Sequence, residues 1–286
     1  MKNFLKKTYE FSSSWTGTII IVLLIIFFIA QAFVIPSGSM KNTLLIKDFL
    51  FAKKFSYGIT IPRLPMLNVP LLPDFFGNGH LIEGERPKRG EIVIFAYPKD
   101  NTSLFVKRLF AVGGDEVIAT NKAIYLRPNE GDKFIDENYD KNDIVILGGK
   151  KFVKEPYKFG GIHYDKNIKI FEIFVKFLAT NNFYMNPIHL KEFTDYEGLP
   201  FNAFYAKIPQ DEFFMIGDNR DHSNDSRFWG TVPYKNIIGT PWFVYLSIDD
   251  NWAIRWERVG KSVDTLQNDE KILQKAYLEE EVGGIY

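Results

Sequence analysis

The stretch "LFVKRLFAV", Leu104–Val112, places two adjacent cations, Lys107 and Arg108, inside a run of aromatic and aliphatic residues closed by Gly113 and Gly114. That composition and punctuation predict a β-strand. Side chains alternate faces along a strand, so Lys107 shares its face with Phe105, Leu109 and Ala111, and Arg108 shares the other with Val106 and Phe110. Alternation alone does not say which cation is buried. Three further segments have the same character: "EIVIFAY" (Glu91–Tyr97), "FFMIG" (Phe213–Gly217) and "WFVYLSI" (Trp242–Ile248). Together they predict an antiparallel β domain, and the aromatic content of 16%, with 27 Phe, agrees with a sheet-rich chain.

The 286 residues are enough for a substantial core and for one domain with insertions, or two. Lys plus Arg and Asp plus Glu balance at 35 each, so the overall charge points to no nucleic acid or acidic polymer as partner. Cysteine is absent, which excludes disulfides, thiolate metal sites and a Cys nucleophile. At the N-terminus, "GTIIIVLLIIFFIAQAFVI", Gly17–Ile35, carries no charge. As a helix rising about 1.5 Å per residue it would cover about 28 Å, near the thickness of a bilayer's hydrocarbon core. Lys2, Lys6 and Lys7 precede it, which predicts a cytoplasmic N-terminus and an exported body. The "AQA" of Ala30–Ala32 also fits a removable secretory signal, and either reading exports the rest of the chain.

Two segments stand apart from the strands. "ITIPRLPMLNVPLLPDFFGNGH" (Ile59–His80) contains four prolines among hydrophobics, which excludes a central strand and predicts a long arm covering core or touching lipid or substrate. In the polar region between, "IKIFEIFVKFLAT" (Ile168–Thr180) fits an amphipathic helix or a pair of strands. The tail after Arg258 reads as a charged helix with a solvated face and no chemistry.

Reactive groups concentrate in three places. Burial among apolar neighbours disfavours an ammonium ion, and a lysine brought from about 10.4 to near 7 or 8 becomes a usable base. Arginine in effect never deprotonates, so the chemistry falls to Lys107. "PSGSM" (Pro36–Met40) is by itself a turn behind the apolar stretch. "GDNRDHSNDSRFWG" (Gly217–Gly230) alternates acids and bases around Ser223 and Ser226, and reads as a polar loop closed by ion pairs or as a rigid support for a catalytic amine. His222 lies within it, but no orienting partner for a catalytic histidine is identifiable.

In this order, behind a single apolar stretch, "PSGSM", "FVKRLFAVGGD" and "GDNRDHSNDSRFWG" resemble the bacterial type I signal peptidases, membrane-bound serine proteases that remove signal peptides from exported preproteins. The resemblance implies a Ser39 nucleophile and a Lys107 general base acting through an acyl-enzyme. It implies oxyanion support from Ser37 and the Ser39 N–H, an amine oriented by Ser223, and an Asp225–Arg227 pair behind it. Phe33, Ile35, Leu44, Phe105 and Val106 match the shallow pockets that accept small residues at −1 and −3, as in Ala-x-Ala. Asn42 stands where the family has proline, a departure expected to loosen the turn. The implied architecture is mainly β: a basic N-terminus (1–15), a transmembrane helix (16–35), an antiparallel β catalytic domain (36–118 and 208–262), an inserted α/β or β subdomain (119–207) and a charged tail (263–286).

The implied setting is the bacterial cytoplasmic membrane, with one span, the catalytic domain outside, and a monomer near the secretion translocon meeting preproteins. No metal or other cofactor and no nucleic acid is expected. Two rival readings are a self-cleaving repressor of the LexA type, which would need a helix-turn-helix module, and a non-catalytic membrane-anchored β binding domain.

Overall fold

The computed structural model describes residues 2–64, 67–165, 167–180, 183–194 and 199–283. Helices α1 (Lys2–Ser12) and α2 (Trp15–Leu24) lead through a π-helical turn, Ile25–Ile29, into strand β1 (Ala30–Val34). A single 3-10 turn, Gly38–Met40, precedes β2 (Asp48–Lys53). Then come the hairpin strands β3 (Gly58–Thr60) and β4 (His80–Glu83), followed by β5 (Ile92–Ala96) and β6 (Leu104–Ala111). The next part holds β7 (Glu116–Ala119), β8 (Ile124–Arg127), α3 (Asp132–Asn138), β9 (Ile144–Leu147) and β10 (Lys150–Lys154). It continues with α4 (Ile170–Ala179), β11 (Asn186–Ile188) and β12 (Ala203–Lys207). The chain then forms β13 (Glu212–Ile216), α5 (Ser226–Trp229), β14 (Val232–Pro233), β15 (Ile237–Ser247), α6 (Val263–Asn268) and α7 (Glu270–Gly283).

The antiparallel, mainly β architecture follows the sequence reading. A seven-stranded sheet runs β1-β2-β15-β5-β6-β13-β14, and a second, six-stranded sheet runs β11-β12-β7-β8-β10-β9. The second sheet is the inserted subdomain, though it reaches back to Glu116, slightly before the expected start. The ambiguous apolar segment within it is helix α4, whose Ile170, Phe171 and Phe174 recur at helical spacing and pack onto Phe204 of β12. Their cluster continues through Val117 and Phe214 to Phe95 and Leu109 of the first sheet, so one core joins the two sheets.

Two expectations are corrected. The helix predicted over 16–35 stops at Ile29, because Ala30–Val34 pairs with Lys53–Phe49 of β2 as an edge strand. Among the described residues no helix is long and apolar enough to cross a membrane. The tail is also not merely a solvated face. Val263, Leu266 and Ile272 are buried with Leu50 and Val244, since the helical spacing of these apolar residues offers a stripe the sheet can cover. The proline-rich arm between β3 and β4 is irregular, as expected, and exposes Leu67, Leu71, Phe75 and Phe76.

A buried ion pair anchors the segment between the 3-10 turn and β2. Arg258 donates to both oxygens of Asp48 at 2.6 and 3.1 Å and to the Thr43 carbonyl at 3.0 Å. Asp48 also accepts from Ser247 Oγ at 2.6 Å and from the Leu45 N–H at 2.8 Å. Replacing Arg258 with Met leaves this carboxylate buried without its cation. Urea unfolding of the detergent-solubilised protein should therefore show a loss of about 3–5 kcal/mol.

Candidate active site

Ser39 lies in the 3-10 turn just beyond β1. The turn is fixed from both sides: the Ile35 N–H donates to the Asp48 carbonyl at 2.9 Å, and the Lys47 N–H donates to the Ile35 carbonyl at 3.1 Å. From the loop after β13, Asn219 donates its backbone N–H to the Ser39 carbonyl and its Nδ2 to the Gly38 carbonyl, both at 3.1 Å. The Ser39 N–H belongs to the opening of the turn, where N–H groups have no partner inside the helix. A Cβ on Gly38 would meet only Ile46 Cδ1, at 3.9 Å, so the protein leaves that space open.

Lys107 sits mid-strand on β6 opposite Val93 of β5, only 4% exposed, and its Nζ is hydrogen-bonded to Ser39 Oγ. Burial brings the amine down from 10.5 to about 8. The carboxylates of Asp225 and Asp218 act against that shift, and Arg227 adds to it. Ser37 Oγ lies 3.4 Å from Ser39 Oγ, which puts a second hydroxyl beside the first.

The acid–base alternation of Gly217–Gly230 becomes two bidentate pairs. Arg108 donates Nε and Nη2 to Asp218 at 2.7 and 2.6 Å, and Arg227 donates Nε and Nη2 to Asp225 at 2.8 Å each. All four side chains are buried, so both cations of the "KR" pair are internal, one per face. Asp218 also accepts from Thr43 Oγ1 at 2.6 Å, and Asp225 from the Gly217 N–H at 3.1 Å. The loop is thereby bound to the nucleophile's turn and to β6. Gly217 must be glycine here: an added Cβ would lie 2.4 Å from the Ser39 carbonyl oxygen and 2.3 Å from Ser223 Oγ.

A groove of about 350 Å³ opens at Ser39 and Lys107 and is lined by Phe33, Ile35, Phe105 and Val106 among others. Four of the five residues matched to the small-residue pockets therefore face it. Leu44 does not; it is completely buried beneath, with Met40 and Leu50, because the residues after the turn dive into the core. Ser223 is buried next to the site, but its hydroxyl has no hydrogen-bond partner, so the expected contact with Lys107 is not formed. His222 stands half exposed at the groove's mouth, with Nε2 3.2 Å from Asp165.

Asn219 and Arg108 were not singled out for these roles by sequence, although both adjoin residues that were. Asn42 overturns another expectation. Its backbone has φ of 72°, which a proline ring cannot adopt, and its buried amide lies 3.0 Å from His163 Nδ1. Far from loosening the turn, it ties the turn to the segment between β10 and α4. Among the described residues no group of three acidic or histidine side chains could hold a metal ion. What the site offers is a hydroxyl beside a partly neutral amine, with N–H and hydroxyl donors adjacent, an arrangement suited to acyl transfer.

The family described as "Signal peptidase, peptidase S26" matches residues 8–246. Two proteins from Helicobacter pylori named "Signal peptidase I" are 51% and 52% identical to this chain, over 95% of it and 98% of each relative. A "Signal peptidase I" from Buchnera aphidicola is 32% identical over 89% of this chain and 84% of its own length. A crystal structure of a signal peptidase I from Enterococcus faecalis is 19% identical, with a TM-score of 0.28, covering 55% of this chain and 97% of that one.

The lowered amine of Lys107 has a consequence for stability. Below about pH 8 the folded chain holds a charged ammonium in a site that disfavours it, whereas the unfolded chain does not. A shift from 10.5 to about 8 corresponds to about 3 kcal/mol. Lys107→Met should therefore stabilise the fold by about that amount at pH 7. The gain should shrink as pH rises from about 8 and vanish above about 10.5, as read by denaturant midpoints across pH.

Proposed function

Because the chain belongs to the signal peptidase family, peptidase S26, we propose that it is a membrane-anchored serine endopeptidase in which Ser39 and Lys107 cut signal peptides from exported preproteins. The observation that carries this reading is the hydrogen bond between Ser39 Oγ and a buried Lys107 amine in the lining of a mainly apolar groove. Neutral Lys107 takes the Ser39 proton as Oγ attacks the scissile carbonyl carbon. The Ser39 N–H and the Ser37 hydroxyl then hold the oxyanion, and the Lys107 ammonium returns its proton to the leaving amine. Water, deprotonated by Lys107, hydrolyses the ester and restores the hydroxyl.

Phe33, Ile35, Phe105 and Val106 would admit small residues at −1 and −3 and exclude large ones. The uncharged N-terminal stretch supports an anchor in the cytoplasmic membrane, with Lys2, Lys6 and Lys7 inside and the catalytic domain outside. A substrate whose apolar segment is still in lipid then presents its cleavage site at the depth of Ser39. The protein acts as a monomer and needs no cofactor or nucleic acid.

In detergent, the protein should cut a preprotein with an Ala-x-Ala site, while Ser39→Ala and Lys107→Ala lower kcat by about 10⁴-fold or more. Equal product from all three would make both residues structural. With kcat/KM carried by a neutral amine, it should rise about tenfold per pH unit below about 8 and level off above. The protein's own Ala30-Gln31-Ala32 site lies in β1, paired with β2, so the purified chain should keep its N-terminus. Sequencing that starts at Phe33 would contradict this.

A further inference from the structure

The groove does not end at its inner pocket. β13 pairs only with Arg108–Ala111 of β6, so along Leu104–Lys107 that edge of β6 has no strand partner among the described residues. Phe33, Ile35 and Ser37 line the groove across from it. An extended peptide can add a strand in such a gap, with backbone hydrogen bonds for affinity and alternate side chains for selection. Beyond Leu104 a second cavity of about 600 Å³ continues the first, sharing Phe33, Pro36 and Leu104 with it. No charged residue lines this outer cavity, and its far wall is formed by Leu67 and Asn68 of the proline-rich arm.

That wall is built rather than incidental. Asn68 is 5% exposed and donates Nδ2 to the Thr102 carbonyl at 2.8 Å. Arg63 donates Nη1 to the carbonyls of Asn101 at 2.8 Å and Asn68 at 3.1 Å. The arm is thereby fixed to the turn that enters β6, and its own turn is closed by the Leu64 N–H on Val69 and the Asn68 N–H on Leu64, each at 2.8 Å. Asn68 holds φ of 52°, a left-handed conformation that asparagine tolerates. The result is a leucine, Leu67, held 66% exposed at the outer end of a neutral groove.

We propose that this outer cavity binds the fifth and sixth residues before the scissile bond and selects apolar side chains there, with Leu67 as the specificity-determining wall. The inference rests on the peptidase reading above. Lys107 and Leu104 are three strand positions apart, about 10 Å, so a bound residue near −3 or −4 lies beside Leu104 and the next two enter the outer cavity. The continuation is upstream because it leaves the inner groove at Phe33 and Leu104, on the side of the −1 and −3 pockets. The occupant is the apolar end of the signal peptide, which suits an uncharged lining.

The test uses the full chain in detergent and two preproteins with the same Ala-x-Ala site, one with Leu-Leu and one with Ser-Ser at −5 and −6. Wild type should favour Leu-Leu by about tenfold or more in kcat/KM. Leu67→Arg, at an exposed position that the fold does not need, should reduce that ratio to within about twofold. Phe76→Ser, equally exposed on the arm but outside the cavity, should keep it. Wild type that cuts both substrates equally would overturn the subsite and leave the peptidase standing; wild type that cuts neither would overturn both. An undiminished ratio in Leu67→Arg, with weaker binding to zwitterionic phospholipid vesicles, would assign the wall to lipid and overturn the proposal.

Discussion

Contact between Ser39 Oγ and Lys107 Nζ joins residues 68 positions apart in the chain, and most of the surrounding structure serves to hold them together. The hydroxyl comes from a turn after an edge strand, and such turns are mobile unless tied down. Here Asn219 holds its two carbonyls, Thr43 reaches Asp218, and Arg258 and Asp48 fix the residues that follow. The amine comes from a strand inside the sheet, where β5 pairs with Lys107 itself and β13 begins to pair at the next residue, Arg108. A rigid amine and a strapped hydroxyl give a preorganised pair.

The inserted subdomain takes part in this scaffold. Its core is continuous with that of the first sheet, and polar links add to the packing. Arg220 of the loop reaches Glu155 at 3.1 Å, its N–H donates to the His163 carbonyl at 3.0 Å, and the His163 N–H donates to the Asp218 carbonyl at 3.0 Å. With Asn42 against His163, the turn bearing Ser39 and the loop that clamps it share a partner in the segment from the insertion.

Much of this was legible from residues alone. Alternation and composition found the strands, and chemistry chose Lys107 over Arg108, since only lysine can act as a base. What alternation could not show was that both cations are buried, because the partner of Arg108 lies 110 residues away at Asp218. Leu44 was matched to a pocket only through the family resemblance, and the direction of the chain after a turn depends on tertiary hydrogen bonds. The helix end at Ile29 was hidden for a similar reason: "AQAFV" is apolar enough for lipid and for a strand, and pairing with β2 decides between them. The tail's apolar stripe was present in sequence but diluted by its charges.

A lowered amine alone would not have identified the site. Lys54 is also buried and also brought to about 8, by burial first and the charge of Arg63 second. No hydroxyl is hydrogen-bonded to its amine among the described residues, so its depressed value reports its surroundings and nothing more. Lys107 differs in having an oxygen to deprotonate and in the management of the charges around it. Two carboxylates lie close enough to pull its pKa up, and left unpaired they would keep it protonated at neutral pH. Each is instead clasped by a guanidinium, Asp218 by Arg108 and Asp225 by Arg227, and at Lys107 the charge of Arg227 works against those carboxylates. Burial dominates, and the Arg227 of an ion pair that looks structural helps keep the amine's pKa down.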